Sequence, residues 1–190
     1  MTDAVDRGTA SRHEIVVVAA DALDDDVRAE IVSLCERAYA EDFSRLFELL
    51  PGSVHVLARD ATGSLVSHAA WVTRWLQPGS CPALRTAYVE AVATEPSLQG
   101  RGLAVAVLGR LASAVKEQGF ELAALSPSEG SFYERLGWEL WTGPLAIRGE
   151  QGSIASSADE ELMILRLPRT PPGLVGTELM TAEWREGELW

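Results

Sequence analysis

The chain has 190 residues, 28 of them Asp or Glu and 16 Lys or Arg, for a formal net charge of −12 at neutral pH. That balance repels phosphate backbones and anionic lipid, which excludes nucleic acid and membrane surfaces as natural partners, and it concentrates cations wherever carboxylates converge. With 47% hydrophobic and 23% charged residues, the composition is that of one globular domain able to fill a core without disulfide or metal staples.

In chain order, residues 1–12 are polar and mixed in charge, with neither the basic start nor the apolar centre of a signal peptide, so they read as a flexible lead-in to a cytoplasmic protein. The longest apolar runs, Ile15 to Ala20 and Leu103 to Leu108, fall far short of the roughly 20 residues of a membrane span. Ile15 to Ala19 is a β-branched strand. Asp24, Asp25 and Asp26 then cap a helix running to about Ala40, with Ile31, Leu34, Cys35 and Ala38 at helical spacing. Phe43 to Leu50 reads as a second, short helix stopped by Pro51 and Gly52, and Val54 to Ala58 with Leu65 to Leu76 as a hairpin about Thr62-Gly63. Ala83 to Thr94 is a strand, Gly102 to Gln118 a helix ending at Gly119, and Phe120 to Leu125 a strand. Glu129 to Leu136 is a short helix, Trp138 to Ile147 and Leu162 to Leu167 are the last strands, and residues 178–190 form an acidic tail. The order predicts an α/β (α+β) fold, a mixed central sheet flanked by helices, in a single domain. Cys35 and Cys81, without CxxC spacing, are expected as reduced thiols. His13, His55 and His68 are too scattered to define a metal site, so no metal is expected. Trp71, Trp75, Trp138 and Trp141 fit a core or subunit interface better than a ligand site.

The stretch most suited to chemistry is Gln99-Gly100-Arg101-Gly102-Leu103-Ala104. It joins a strand to a long helix, where free backbone N–H groups and the positive end of the helix dipole meet, a natural seat for phosphate. It fits neither GxGxxG nor GxxxxGK[ST], so a dinucleotide fold or a Walker loop would be a forced reading. It matches instead the Q/R-x-x-G-x-G/A signature of the GNAT N-acetyltransferases, and Phe132-Tyr133-Glu134-Arg135-Leu136-Gly137-Trp138 resembles that family's F/L-Y-x-x-x-G-W/F element. Within the family, the chain most resembles the aminoglycoside 2′-N-acetyltransferases. The stretches carrying this are Ala40-Glu41-Asp42-Phe43, Pro51-Gly52-Ser53-Val54-His55, His68-Ala69-Ala70, Tyr88-Val89-Glu90 and the terminal Glu183-Trp184-Arg185-Glu186-Gly187-Glu188-Leu189-Trp190.

The resemblance implies acetyl-CoA, released as coenzyme A, as cofactor, a cationic amino sugar as acceptor, antibiotic resistance as the consequence, and a homodimer. Acyl transfer to an amine needs a neutral amine, a polarised thioester carbonyl and a proton for the departing thiolate. By resemblance, Glu90 binds the amine and serves as a base through water, Tyr133 is the general acid, and the terminal carboxylate of Trp190 is a second base or ammonium anchor. Val92, Ala93 and Thr94 line the cofactor strand. Gln99, Gly100, Arg101, Gly102, Leu103 and Ala104 take the pyrophosphate, and Ser126 and Ser128 contact the cofactor. Asp42, Glu188 and one of Asp159, Glu160 or Glu161, with Glu161 preferred, complete an acidic acceptor cleft. The alternatives are a transferase for another small amine, such as a kasugamycin-like sugar, a polyamine or a metabolite, and a non-catalytic acyl-CoA-binding module.

Overall fold

The computed structural model describes residues 13–149, 154–156, 160–186 and 190. Its elements are β1 (Glu14–Ala19), α1 (Asp25–Tyr39), α2 (Leu46–Leu49), β2 (Val54–Arg59), β3 (Leu65–Pro78), β4 (Leu84–Thr94), α3 (Leu103–Glu117), β5 (Leu122–Leu125), α4 (Gly130–Glu134), β6 (Glu139–Leu140), β7 (Leu145–Arg148), β8 (Ile154–Ser156), β9 (Met163–Arg166) and β10 (Met180–Glu183). Among the described residues no helix is long and apolar enough to cross a membrane.

The strands form one mixed sheet in the order β6-β9-β5-β4-β3-β10-β7-β8, with β2 on the free first half of β3 and β1 outside it. Pairing is antiparallel except between β4 and β5 and between β7 and β10. Strand alternation sends successive residues to opposite faces. Leu84, Tyr88, Leu122 and Ala124 join Ile31, Leu34 and Cys35 of α1 on one side. Ala87, Val89, Ala123 and Leu125 join Leu103, Val107, Leu108 and Leu111 of α3 on the other. Asp24 starts α1 by accepting the Val27 N–H at 2.8 Å, and Gly119, at φ +71°, takes the left-handed position after α3 that favours glycine.

One irregularity positions everything functional. β4 pairs with β5 only from Thr86 to Tyr88, whereas it follows β3 to its end. In that ladder Glu90 faces Ala70 and Ala93 faces His68, so Ala91 and Val92 share the single partner Ala69. This is a β-bulge, with Ala91 in the left-handed region at φ +51°. Beyond it β4 and β5 part, leaving a wedge open between them.

Three of the differences from the sequence reading bear on the site and the tail. The second helix shortens to Leu46–Leu49 because the Asp42 side chain accepts the Ser44 N–H at 2.8 Å, closing a turn that competes with helix. The strand expected over 138–147 splits into β6 and β7, which pair with β9 and with β10. At the break, Gly143 lies so close to the tail that a Cβ there would stand 2.0 Å from the Glu178 carbonyl oxygen. The acidic tail, finally, contains a strand. β10 is held by Arg74, only 1% exposed, whose Nη2 donates to the Glu183 carbonyl at 2.8 Å, and by Arg148, which donates to the Thr181 carbonyl at 2.8 Å.

Candidate active site

Two clefts meet in the wedge. The first, of about 510 Å³, runs from Val92 and Thr94 on β4 past Gln99, Gly100, Gly102, Leu103, Ala104 and Val105 to Ser128, Phe132 and Tyr133. The second, of about 440 Å³, lies between α1, the 41–50 segment, β4 and the tail, and is lined by Tyr39, Glu41, Asp42, Arg45, Glu90, Ala91, Val92, Ser126, Ser128, Tyr133, Arg185 and Glu186 among others. Val92, Ser128 and Tyr133 belong to both. A molecule extended along the first cleft therefore delivers its end to the second.

The first cleft is built for an anion at its outer end. Gly100 and Gly102 stand at φ +73° and +81°, turning the backbone sharply into α3. No side chain caps that helix, so its first N–H groups face the cleft with the positive end of a 15-residue helix behind them. Arg101 is exposed beside the loop rather than among the lining residues. Ala93 is buried at 1% exposure and faces the core, and Ser126 lines the second cleft rather than the first.

Tyr133 sits at the junction with its ring packed edge-on against Phe132 and Trp138, at centroid distances of 5.0 and 5.9 Å. Burial pushes its hydroxyl up to about 12, so it keeps its proton throughout the neutral range. Across the second cleft Glu90 accepts a hydrogen bond from Arg185 Nη2, and both side chains are mostly buried. Arg185 also lies over the Tyr88 ring, its guanidinium carbon 5.3 Å from the centroid. Asp42 is held below the usual carboxylate range by the Ser44 N–H. Arg45 donates to Glu186 at 2.9 Å, tying the tail to the segment before α2. Tyr39, Glu41, Arg45, Arg185 and Glu186 are the polar cleft residues to which the sequence reading gave no role. The partners in the Glu90–Arg185 pair are 95 positions apart, beyond any local spacing rule.

Of the other expected acceptor residues, Glu161 is exposed just before β9 and does not line the cleft. Asp159 and Glu188 lie outside the described residues. The Trp190 side chain is 2% exposed and packs in the core cluster with Tyr88, Trp141 and Met180. Among the described residues no cluster of His, Cys, Asp and Glu has the makings of a metal site, and both cysteines are free.

Comparison with known proteins assigns this architecture. Residues 13–141 match the family model of the acetyltransferase (GNAT) domain. The chain belongs to the GNAT family of acetyltransferases. It is 32% identical over 183 residues, covering 94% of this chain and 92% of the relative, to an aminoglycoside 2′-N-acetyltransferase of Mycolicibacterium fortuitum. Its fold is shared with a GNAT family N-acetyltransferase of Escherichia coli solved in complex with CoA, at a TM-score of 0.66 and 19% identity over 98% of this chain and 94% of that one. It is also shared with Eis1 of Mycobacterium abscessus, at a TM-score of 0.60 and 22% identity over 71% of this chain and 33% of that one.

This GNAT chain is an acetyl-CoA-dependent N-acetyltransferase. Acetyl-CoA supplies the acetyl group as a thioester, and the residues of the first cleft fit it. The uncapped amides of α3 and the two left-handed glycines suit its pyrophosphate, and the edge of β4 freed from β5 suits an extended amide-bearing arm. A Cβ added at Gly102 meets nothing within 4 Å, so Gly102→Ala acts through backbone conformation. The free loop relaxes away from the left-handed turn, and restoring it on binding costs about 1–2 kcal/mol. Calorimetry should show coenzyme A binding weakened by roughly 5- to 30-fold with little change in melting temperature. Unchanged affinity would remove this loop from the cofactor site.

Proposed function

We propose that the chain transfers the acetyl group to the 2′-amine of an aminoglycoside. The observation that carries this reading is the second cleft, which opens onto the cofactor cleft at Tyr133 and is lined by four carboxylates, Glu41, Asp42, Glu90 and Glu186, against the two guanidiniums of Arg45 and Arg185. Such a wall attracts an ammonium-bearing molecule, and the mycobacterial relative, matched over nearly its whole length, is named for this reaction.

In this reading the acidic wall holds the other ammonium groups of the sugar while one amine is presented neutral at the junction. Glu90, from the bulged end of β4, accepts that amine's proton through a water molecule, and the Trp190 carboxylate, Glu188 and Asp42 anchor ammonium groups. The Val92 N–H polarises the thioester carbonyl, and Tyr133 gives its proton to the leaving thiolate. Attack is direct, without a covalent enzyme intermediate.

The test is thiol release from acetyl-CoA across aminoglycosides with and without a 2′-amine. Turnover confined to the 2′-amino compounds is expected. Turnover of polyamines or a kasugamycin-like sugar alone would move the reading to another small amine, which the two arginines in the wall would then explain. Inactivity throughout, with tight acetyl-CoA binding, would point to a binding module.

A further inference from the structure

Behind the bulge lies a buried polar chain that the reaction as described does not use. His55 and His68 are 0% exposed and Ser53 is 1% exposed. The β2–β3 pairing sets His55 opposite Ala70 and therefore diagonal to His68, and the two rings approach with His55 Nδ1 2.9 Å from His68 Nε2. Ser53 Oγ is 2.9 Å from His55 Nε2, and His68 Nδ1 is 2.8 Å from the carbonyl oxygen of Ala91.

A carbonyl oxygen can only accept, which fixes every proton in the chain. His68 Nδ1–H donates to Ala91, so His68 Nε2 accepts from His55 Nδ1–H, and His55 Nε2 in turn accepts from the Ser53 hydroxyl. All four groups are satisfied with both rings neutral, and the chain has one direction, ending on the bulge. On the next peptide, the Val92 carbonyl accepts from the Tyr39 hydroxyl at 2.8 Å. Both carbonyls of the bulge are thus held by side chains.

A trans peptide points its C=O and its N–H in opposite directions. Fixing the Ala91 oxygen toward His68, in the core, aims the Val92 N–H the other way, toward the junction of the clefts that Val92 lines. Without that anchor an alanine at φ +51° has a strain of about 1–2 kcal/mol to release by turning the peptide. We infer that Ser53, His55 and His68 are positioning residues for acetyl transfer, a buried hydrogen-bond chain that locks the Ala91–Val92 peptide with its N–H toward the acetyl-transfer junction. The inference rests on the acetyltransferase reading of that junction and not on which amine is the acceptor.

Three variants separate positioning from packing. His68→Leu removes the donor, His68→Asn keeps an N–H near the Nδ1 position, and Ala91→Gly relieves the left-handed strain. With an acceptor turned over by the parent enzyme, His68→Leu should lower kcat by roughly 10- to 100-fold with KM for acetyl-CoA within about threefold. His68→Asn should recover most of the loss, and in the Ala91→Gly background His68→Leu should cost no more than about threefold. Equal losses in both backgrounds, no rescue by Asn, or no loss at all would overturn the inference.

A second measurement holds whether or not an acceptor is known. Nitrogen-15 NMR of the whole protein should find His55 and His68 each carrying its proton on Nδ1, and adding acetyl-CoA, which carries the thioester carbonyl, should shift the Val92 amide in the parent and in His68→Asn but not in His68→Leu. A proton on Nε2 of His68, or an identical Val92 shift in all three proteins, would also overturn it. Failure of the acetyltransferase reading shows up separately, as a parent protein that neither binds coenzyme A nor releases thiol.

Discussion

Replacing Tyr133 with Phe should lower kcat by about 10²- to 10⁴-fold while leaving coenzyme A affinity within a few-fold, the usual loss when a general acid is removed. The substitution deletes one oxygen and keeps the ring, so the edge contacts with Phe132 and Trp138 survive and the fold has little reason to respond. Proton transfer sets the size of the effect. A phenol pushed up to about 12 by burial is a poor acid toward an ordinary thiolate, whose conjugate acid lies near 8.5, so the proton moves only as C–S cleavage builds charge on sulfur. The pH profile carries the same information, because activity should rise as the acceptor amine loses its proton and show no decline attributable to Tyr133 below about pH 11. A Tyr133→Phe enzyme retaining more than a tenth of the parent kcat would remove the phenol from the reaction.

The loop that lines the outer end of the first cleft was legible in the sequence because it forms one continuous local signal. A strand, two glycines in a turn and a helix start make a phosphate seat wherever they occur together, and 99–104 supplies all three. The mixed sheet with helices on both faces was legible for the same reason, since Ile15–Ala19, the Asp24 cap and the Gly119 stop each act within a few residues. What escaped depends on contacts between distant segments. Nothing near Glu90 announces Arg185, and nothing near Trp138 announces that the chain must break at Gly143 to let the tail pass, because the cause is the Glu178 backbone. His55 and His68, read one at a time, were too scattered for a metal. They are neighbours only once β2 pairs with β3, and they then satisfy each other by hydrogen bonding. The bulge is hidden in a similar way: Ala91 carries no residue-type signal for a positive φ, and its conformation is held by side chains from β3 and α1.

The same histidines should make the fold markedly sensitive to mild acid. Burial, with the nearby Arg28 charge, lowers His55 from an ordinary value of 6.5 to about 4, and burial, with His55 beside it, lowers His68 to about 3 despite the favourable Ala91 carbonyl. The groups packed round them give no relief, since the Cys35 thiol 4.0 Å from His68 is neutral and the Phe47 ring against His55 is apolar. In the unfolded chain both histidines take up protons as pH falls through about 6.5, whereas the folded chain resists down to about 4. The unfolded state therefore binds more protons across that window, and stability must fall with pH there. At pH 5, 1.5 units below the unfolded value, each histidine costs the fold about 2 kcal/mol at roughly 1.4 kcal/mol per unit, or about 4 kcal/mol for the pair. That is a large part of the 5–15 kcal/mol typical of a domain, and for a chain of this length it corresponds to a melting temperature lower by roughly 8–16 °C. Carboxylates held low, such as Asp42 and Asp60, begin to protonate only below the window and cannot produce the drop. Urea unfolding at pH 7.5 and pH 5 measures the loss directly. In a His55→Gln/His68→Asn double variant, less stable at pH 7.5 but without the two buried bases, the difference between the two pH values should shrink to under about 1 kcal/mol. A variant that keeps the full difference would place the acid sensitivity elsewhere in the molecule.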